Sequence, residues 1–182
     1  MQIKEWIYLE EVGSTSLWLK ENLKSLPLNA SVVWASRQTH GRGRFDRKWF
    51  SESGGLYFSV LLLPDFERVS SEILVRSFSD FLTSYAFKKW GLKLWVKAPN
   101  DVYYQDKKLA GILIENIFMG DQLEACIFGV GINVNQLFPP NFDFGFENPG
   151  YQPVSLSQLL GRELNIDELL KDLVTSWEPP LG

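Results

Sequence analysis

The sequence has 182 residues, of which 45% are hydrophobic and 22% charged, and its formal net charge is −4. A chain of this length can bury a core as one domain, and its acidic balance argues against general binding to nucleic acid or to a membrane surface. The single cysteine and single histidine exclude an intrachain disulfide, a thiolate metal cluster and a multi-histidine metal site.

The first third of the chain combines strand-like and helical patterns. Its amino-terminal stretch carries acids and no long apolar run, so we expect no signal peptide and a cytoplasmic location. The predicted elements are a strand at 3–12, a helix that starts at Ser14-Thr15-Ser16 and ends before Pro27, a strand at 31–36, a long loop at 37–55 and a buried strand at 56–63.

The rest of the chain has more strands than helices. The predicted elements are a helix at 72–90, a strand at 92–97, a turn at Pro99-Asn100-Asp101, a hairpin of 102–104 and 109–117, a strand at 123–134, an irregular loop at 136–153 and helices at 155–160 and 166–177. Because strands dominate and hairpins are present, the predicted class is α+β, with a mixed, largely antiparallel sheet covered by helices. We expect one domain over residues 1–182.

The loop at 37–55 holds the first candidate site. Between Arg37 and Lys48 it carries five basic side chains and one acid, although the net charge of the chain is negative. Its Gly41-Arg42-Gly43-Arg44 run lets backbone N–H groups approach an anion, and its arginines offer forked donors to phosphate or carboxylate. Two interpretations stay open here: an anion clamp, with Trp49 against a flat ring, and a solvated basic loop.

A second candidate lies after the turn at Pro99-Asn100-Asp101. Gly111 on the following strand indicates close approach by a backbone or a ligand, and a lysine just before it would direct its charge at whatever approaches. Lys107 and Lys108 are equivalent on this pattern, and the turn sequence by itself indicates only a chain reversal.

Three further features have a structural and a functional interpretation. Gly129 and Gly131 share one face of a strand, where they leave room for a flat group or mark a bulge. The hydroxyls at Ser14-Thr15-Ser16 cap a helix or bind a ligand at its start. His40 has no accompanying nucleophile motif, and Cys126 lies in an apolar strand, where a core position is expected.

Taken in order, these segments resemble the catalytic domain of biotin–protein ligases. The resemblance covers about residues 8 to 135, and its specificity comes from five motifs in one order, since each motif is weak alone. The matching residues are Ser14-Thr15, Gln38, Gly41-Arg42-Gly43-Arg44 with Arg47 and Trp49, Pro99-Asn100-Asp101, Lys108-Leu109-Ala110-Gly111-Ile112-Leu113-Ile114-Glu115 and Gly129-Val130-Gly131-Ile132-Asn133.

The resemblance implies a fold similar to that of class II aminoacyl-tRNA synthetases and a two-step ligase reaction. Biotin and ATP, with Mg²⁺, would give biotinyl-AMP and pyrophosphate. The biotinyl group would then pass to a lysine of a biotin carboxyl carrier protein, such as that of acetyl-CoA carboxylase. Relatives occur as monomers and homodimers, and neither a nucleic-acid nor a membrane partner is expected.

The resemblance also assigns roles to residues. Lys108, Arg42 and Arg44 would be catalytic, because positive charge must gather where a carboxylate meets a phosphate. The biotin site would comprise Ser14, Thr15, Gln38, Gly41, Arg42, Lys108, Gly111, Gly129 and Gly131. The ATP site would comprise Arg44, Arg47, Trp49, Asn100, Lys108 and Asn133, with Asp101 as a contributor to Mg²⁺ binding.

The chain departs from the family pattern at three of these places. Asp46 stands where glycine is common, Ala98 where tryptophan is common and Ser16 where asparagine is frequent. The sequence is expected to correspond to the catalytic domain without an N-terminal winged helix and without a C-terminal β-barrel. Two alternatives to a biotin ligase remain: a lipoate or octanoate–protein ligase of the same fold, and a non-catalytic biotin-binding remnant.

Overall fold

The structure is a computed structural model that describes residues 2–63, 69–144 and 150–181. Its strands are β1 (Glu5–Val12), β2 (Ser31–Gln38), β3 (Leu56–Leu62), β4 (Trp95–Lys97), β5 (Asp101–Tyr104), β6 (Lys107–Met119), β7 (Gln122–Ile132) and β8 (Gln152–Pro153). Its helices are α1 (Thr15–Glu21), α2 (Ser71–Trp90), α3 (Leu156–Leu160) and α4 (Ile166–Ser176), with short 3-10 turns at Leu23–Ser25 and Arg44–Asp46. Among the described helices, none combines the length and the apolar composition needed to cross a bilayer.

The strands form one mixed sheet in the order β1-β2-β3-β7-β6-β5-β4. The pair β1 and β2 is parallel, the other neighbours along this path are antiparallel, and the short β8 pairs in parallel with the start of β6. Parallel neighbours need a crossover connection, which α1 provides between β1 and β2. The predicted α+β class with a mixed, largely antiparallel sheet is confirmed.

Helices cover the sheet on both faces. The larger core lies between the sheet and α2, α3 and α4, where Phe78 packs with its ring centroid 5.5 Å from that of Phe128 and 5.0 Å from that of Trp177. The smaller core joins α1 to the other face through Leu19 and Ile127. Because α1 lies there, its first turn meets β7 at Gly129, which is where the candidate site forms.

Two elements are shorter than predicted. The first helix ends at Glu21, where the side-chain amide of Asn22 donates to the carbonyl of Trp18 at 2.9 Å and the chain continues as the 3-10 turn at Leu23–Ser25. The strand predicted at 92–97 begins only at Trp95, because the N–H of Leu92 donates to a carbonyl in the last turn of α2.

Both predicted loops contain more structure than expected. β2 extends to Gln38, and the loop that follows returns on itself through an antiparallel bridge between Arg42 and Lys48. The irregular segment predicted at 136–153 ends in β8. Isolated bridges and two-residue strands have no hydrophobic periodicity, so the sequence pattern could not reveal them.

Candidate active site

A cavity of about 300 Å³ opens beside the first turn of α1. Its walls come from that turn, the loop between β2 and β3, the turn between β4 and β5, and strands β6 and β7. The predicted site residues that line it are Ser14, Thr15, Gln38, Arg42, Arg44, Arg47, Trp49, Asn100, Asp101, Lys108, Gly111, Gly129 and Gly131. The fold therefore assembles one site from segments that are far apart in the sequence.

Uncharged hydroxyl and amide groups form one end of the cavity, here called the polar end. The side-chain oxygen of Gln38 accepts from the backbone N–H of Thr15 at 2.9 Å and from its hydroxyl at 3.1 Å. The hydroxyls of Thr15 and Ser16 lie 2.8 Å and 3.0 Å from the hydroxyl of Ser59. Ser14 occupies the N-cap position of α1, but its hydroxyl makes no capping hydrogen bond. The polar end thus presents donors and acceptors side by side without a formal charge.

The indole of Trp49 lies across two glycines on adjacent strands. Gly111 of β6 and Gly131 of β7 are cross-strand partners, and a Cβ on them would lie 3.0 Å and 2.4 Å from atoms of the indole. A side chain at Gly131 would therefore displace the ring. Sequence analysis left room for a flat group above Gly129 and Gly131; at Gly131 this group is a ring of the protein itself, whereas Gly129 faces the hydroxyl of Ser16. The indole N–H is buried and has no hydrogen-bond partner among the described groups.

Lys108 places an ammonium group at the other, cationic end of the cavity. The residue is 8% exposed, and its Nζ lies 2.7 Å from Oδ1 of Asp101. The rings of Trp49 and Tyr151 flank the ammonium, with centroids 5.1 Å and 4.7 Å away. Burial lowers the pKa of Lys108, and the Asp101 carboxylate opposes that effect. The structure thereby distinguishes Lys108 from its exposed neighbour Lys107, which the sequence pattern left equivalent.

Two arginines reach from the loop to the opposite wall of the cavity. Arg42 donates to Glu115 of β6 at 2.9 Å, and Arg44 donates to the side-chain oxygen of Asn100 at 3.5 Å. The Arg42 side chain is half-exposed, so its ion pair contributes at most about 1 kcal/mol. Together with the packing of Trp49, these contacts hold the loop across the cavity.

Gly41 and Asn133 are predicted ligand-binding residues, but neither lines the cavity. A Cβ on Gly41 would lie 2.2 Å from the hydroxyl oxygen of Ser51, so this glycine permits close packing where the loop begins. The side-chain amide of Asn133 is buried and donates to the carbonyl of Lys108 at 3.3 Å. Both residues therefore support the site from behind its walls.

The predicted contribution of Asp101 to Mg²⁺ binding meets a competing contact, because its carboxylate is paired with Lys108. Within the described ranges, no cluster of three or more potential metal-binding side chains occurs, and Asp101 is the one carboxylate of the cavity lining. A single shared carboxylate suits a divalent ion that arrives already bound to phosphates better than a resident metal ion.

Four residues without a predicted role contribute to the site: Tyr151 lines the cavity, and Ser51, Ser59 and Glu115 form hydrogen bonds with residues that line it. The sequence pattern could have indicated a role for Ser59 and Glu115, because a polar residue within an apolar strand needs a partner. It could not have done so for Ser51 and Tyr151, since each lies in an irregular segment and reaches the site only through tertiary contacts.

Two of the three departures from the family pattern can be located. Ala98 lines the cavity, and the hydroxyl of Ser16 lies 2.8 Å from where a Cβ on Gly129 would be. Ser16, which is smaller than the asparagine of the family pattern, therefore packs directly against β7 at Gly129, where the strand has no side chain. The side chain of Asp46 lies outside the described residues.

The structure combines a mixed sheet with a cavity that is neutral at one end and cationic at the other. These features define the class of protein: an α+β domain whose cavity suits the reaction of a carboxylate with a phosphate. The family model described as the biotin/lipoate A/B protein ligase family matches residues 8–133, and the chain belongs to this family. Its fold is that of the biotin–protein ligase catalytic domain, which is similar to that of class II aminoacyl-tRNA synthetases.

Three similar proteins illustrate the match. The bifunctional ligase/repressor BirA of Bacillus subtilis (strain 168) is 31% identical over 173 residues, which cover 94% of this chain and 52% of that protein. The biotin–[acetyl-CoA-carboxylase] ligase of Paracoccus denitrificans is 32% identical over 166 residues, which cover 86% of this chain and 66% of that protein. The biotin protein ligase of Aquifex aeolicus in complex with biotin and ATP superposes with a TM-score of 0.79 at 33% identity, over 95% of this chain and 68% of that one. This chain therefore spans about half of the Bacillus relative.

Proposed function

We propose that this protein activates biotin as biotinyl-5′-AMP and transfers the biotinyl group to a lysine of a biotin carboxyl carrier protein. The observation that carries the proposal is the position of the Lys108 ammonium, which lies in the same cavity as a neutral polar end and a group of arginines. The names of the similar ligases support biotin as the acid that is activated.

The polar end suits the ureido ring of biotin. A cyclic urea has one carbonyl and two N–H groups, and it needs neutral donors and acceptors at close spacing. Ser14, Thr15 and Gln38 supply these groups, and Gly129 leaves the strand beneath them without a side chain. Gly111 and Gly131 were also predicted to line the biotin slot, but the indole of Trp49 lies on both, so we assign them to the seat of the indole that walls this slot.

The cationic end supplies what the first step needs. A carboxylate oxygen of biotin attacks the α-phosphorus of ATP, the bond from that phosphorus to the bridging oxygen breaks, and pyrophosphate leaves with the electron pair. Both reactants are anions, so fixed cations lower the barrier by stabilising charge on the phosphoryl oxygens. We assign Lys108 and Arg42 to the carboxyl and α-phosphate oxygens, and Arg44 and Arg47 to the outer phosphates.

ATP would enter as its Mg²⁺ complex, and the ion would neutralise part of the phosphate charge. Asp101 is the residue of the cavity lining that would contribute a ligand to it. Trp49 and Asn100 are assigned to the nucleotide side of the cavity. For Asn133 we now favour support of Lys108 through its carbonyl.

In the second step, the ε-amine of the carrier lysine attacks the acyl carbon, the bond from that carbon to the AMP oxygen breaks, and the amine gives up a proton. This route needs no enzyme nucleophile. Cys126 is unsuited to that role, because it is fully buried and burial raises its pKa to about 12. A closed loop keeps water from the acyl-adenylate until the carrier arrives.

Incubation with MgATP and biotin tests the proposal. We expect biotin-dependent release of pyrophosphate, which becomes catalytic when a biotin carboxyl carrier domain is added. Release with lipoate but not with biotin would contradict the proposal in favour of a lipoate ligase. Binding of biotin in calorimetry without pyrophosphate release would favour the non-catalytic remnant. The cytoplasmic location and the monomeric or homodimeric state stay predictions.

Asp101→Asn is expected to move the alkaline limit of activity to lower pH. The protonated form of Lys108 is the active one, and Asp101 holds its pKa up against the effect of burial, as a neighbouring charge and a hydrogen-bond partner. Without the carboxylate, the pKa of Lys108 falls further, so the positive charge is lost at lower pH as pH rises. The pH dependence of kcat/KM for biotin, measured by pyrophosphate release, tests this expectation.

Asp106→Asn is the matched control for that experiment. Asp106 is exposed in the turn before β6, and its substitution changes the net charge by the same amount. We expect the alkaline limit of this variant to match that of the wild type. An equal shift in both variants, or no shift in Asp101→Asn, would show that Asp101 does not control the charge of Lys108.

A further inference from the structure

We propose that Ser51 is a positioning residue that couples occupation of the polar end to closure of the arginine loop. The inference rests on the proposed function in one respect, which is that biotin is the ligand used to occupy the polar end. It concerns three residues, Gly41, Trp49 and Ser51, which we call the base of the loop.

Backbone hydrogen bonds close the loop at this base. The N–H of Trp49 donates to the carbonyl of Gly41 at 2.9 Å, and the N–H of Gln38 donates to the carbonyl of Ser51 at 3.0 Å. The residues between Gly41 and Trp49 therefore form a loop whose two ends are hydrogen-bonded to each other at this base. The geometry of the base sets the direction in which the loop leaves the sheet.

The hydroxyl of Ser51 lies between the cavity wall and the residue that carries the indole. It accepts from the side-chain amide of Gln38 at 2.9 Å and donates to the carbonyl of Trp49 at 3.1 Å. Ser51 is only 4% exposed, so its hydroxyl depends on these two partners rather than on water. It joins the polar end, through Gln38, to the base of the loop.

Gly41 makes room for this hydroxyl. A Cβ at position 41 would lie 2.2 Å from Oγ of Ser51 and 2.5 Å from the carbonyl oxygen of Trp49. Gly41 is not among the described glycines with left-handed φ values, so the requirement is for space and not for an unusual backbone conformation. The first glycine of the arginine-rich run is thus explained by the packing of Ser51.

A ligand that binds Gln38 restricts the amide that holds Ser51. The hydroxyl in turn fixes the carbonyl of Trp49, and through it the indole that lies on Gly111 and Gly131. Occupation of the polar end thereby favours the closed loop, in which Arg42 reaches the far wall. Without the Ser51 hydroxyl, the ligand and the loop lose this connection.

Amide hydrogen exchange of residues 41–49, with and without saturating biotin, tests the coupling. In the wild type we expect biotin to slow exchange in this segment. In Ser51→Ala we expect the segment to exchange at nearly the ligand-free rate even when biotin saturates the protein, and biotin affinity to fall about ten-fold.

Pyrophosphate release by Ser51→Ala should show a lower kcat, because the loop residues are no longer held in place. A residue needed only for stability would lower the melting temperature without uncoupling the loop from biotin.

Three further variants complete the experiment. Gly41→Ala should also uncouple the loop, because its methyl group displaces the Ser51 hydroxyl, and Ser51→Thr should restore coupling, because it retains a hydroxyl. Ser36→Ala removes a serine hydroxyl of β2 that hydrogen-bonds to Tyr8 at 2.9 Å, and it should behave as the wild type.

Equal biotin-induced protection in Ser51→Ala and the wild type would overturn this inference but not the proposed function. Failure of the wild type to bind biotin would overturn the proposed function and this inference with it.

Discussion

Lys108→Ala is expected to reduce biotin-dependent pyrophosphate release by about 10³-fold, because it removes a preorganised charge from the position where negative charge develops. The side chain is almost fully buried, its Nζ is held 2.7 Å from Asp101, and two aromatic rings flank it. Water that fills the space left by the lysine side chain cannot replace a fixed ammonium, since the water would have to reorient during the reaction. Single-turnover measurement of pyrophosphate release, with circular dichroism to confirm folding, tests this expectation.

Lys107→Ala and Lys108→Gln are the controls for that result. Lys107 precedes Lys108 and is exposed, so its substitution removes a charge from the same strand without entering the cavity, and activity should stay within about two-fold of the wild type. Lys108→Gln keeps a hydrogen-bond donor for Asp101 but not the charge, and it should be as inactive as Lys108→Ala. Near-normal activity of either Lys108 variant would remove this residue from its proposed role.

Gly131→Val is expected to reduce pyrophosphate release by about 10²-fold, because it moves the loop away from its catalytic position. The added Cβ would lie 2.4 Å from Nε1 and 2.6 Å from Cε2 of Trp49, so the indole has to leave the glycine pair. A β-branched residue suits a strand, and the sheet itself should therefore remain folded. The measurements are KM for biotin, the rate of pyrophosphate release and the melting temperature.

Gly13→Ala is the matched control for the glycine substitution. A Cβ at Gly13 would meet only the His40 ring, at 4.0 Å, which is an ordinary contact. Activity of this variant should equal that of the wild type, and Gly131→Ala should lie between the wild type and Gly131→Val. Normal activity in Gly131→Val would show that the indole does not need to lie on the glycine pair for catalysis.

Much of the fold was accessible from local pattern. The long helix α2 and the strands β3, β6 and β7 were predicted nearly to their observed ends, because α2 has apolar residues at helical spacing and the strands are apolar runs bounded by turn residues. The first helix and the fourth strand were predicted too long. Their ends involve hydrogen bonds made by the side-chain amide of Asn22 and the backbone N–H of Leu92, which hydrophobic periodicity does not report.

The sequence by itself determined the chemical inventory of this protein: one cationic loop, one candidate lysine segment, paired glycines and a hydroxyl-rich helix start, in the order typical of biotin–protein ligases. Tertiary structure alone decided which lysine is buried, because Lys107 and Lys108 differ only in what surrounds them. It also decided that Gly41 and Asn133 do not line the cavity, that Tyr151 does, and that Ser51 hydrogen-bonds to Gln38 of its wall. The physical reason is the same in each case: burial, ion pairing and close packing are set by neighbours distant in the chain, which a local pattern cannot contain.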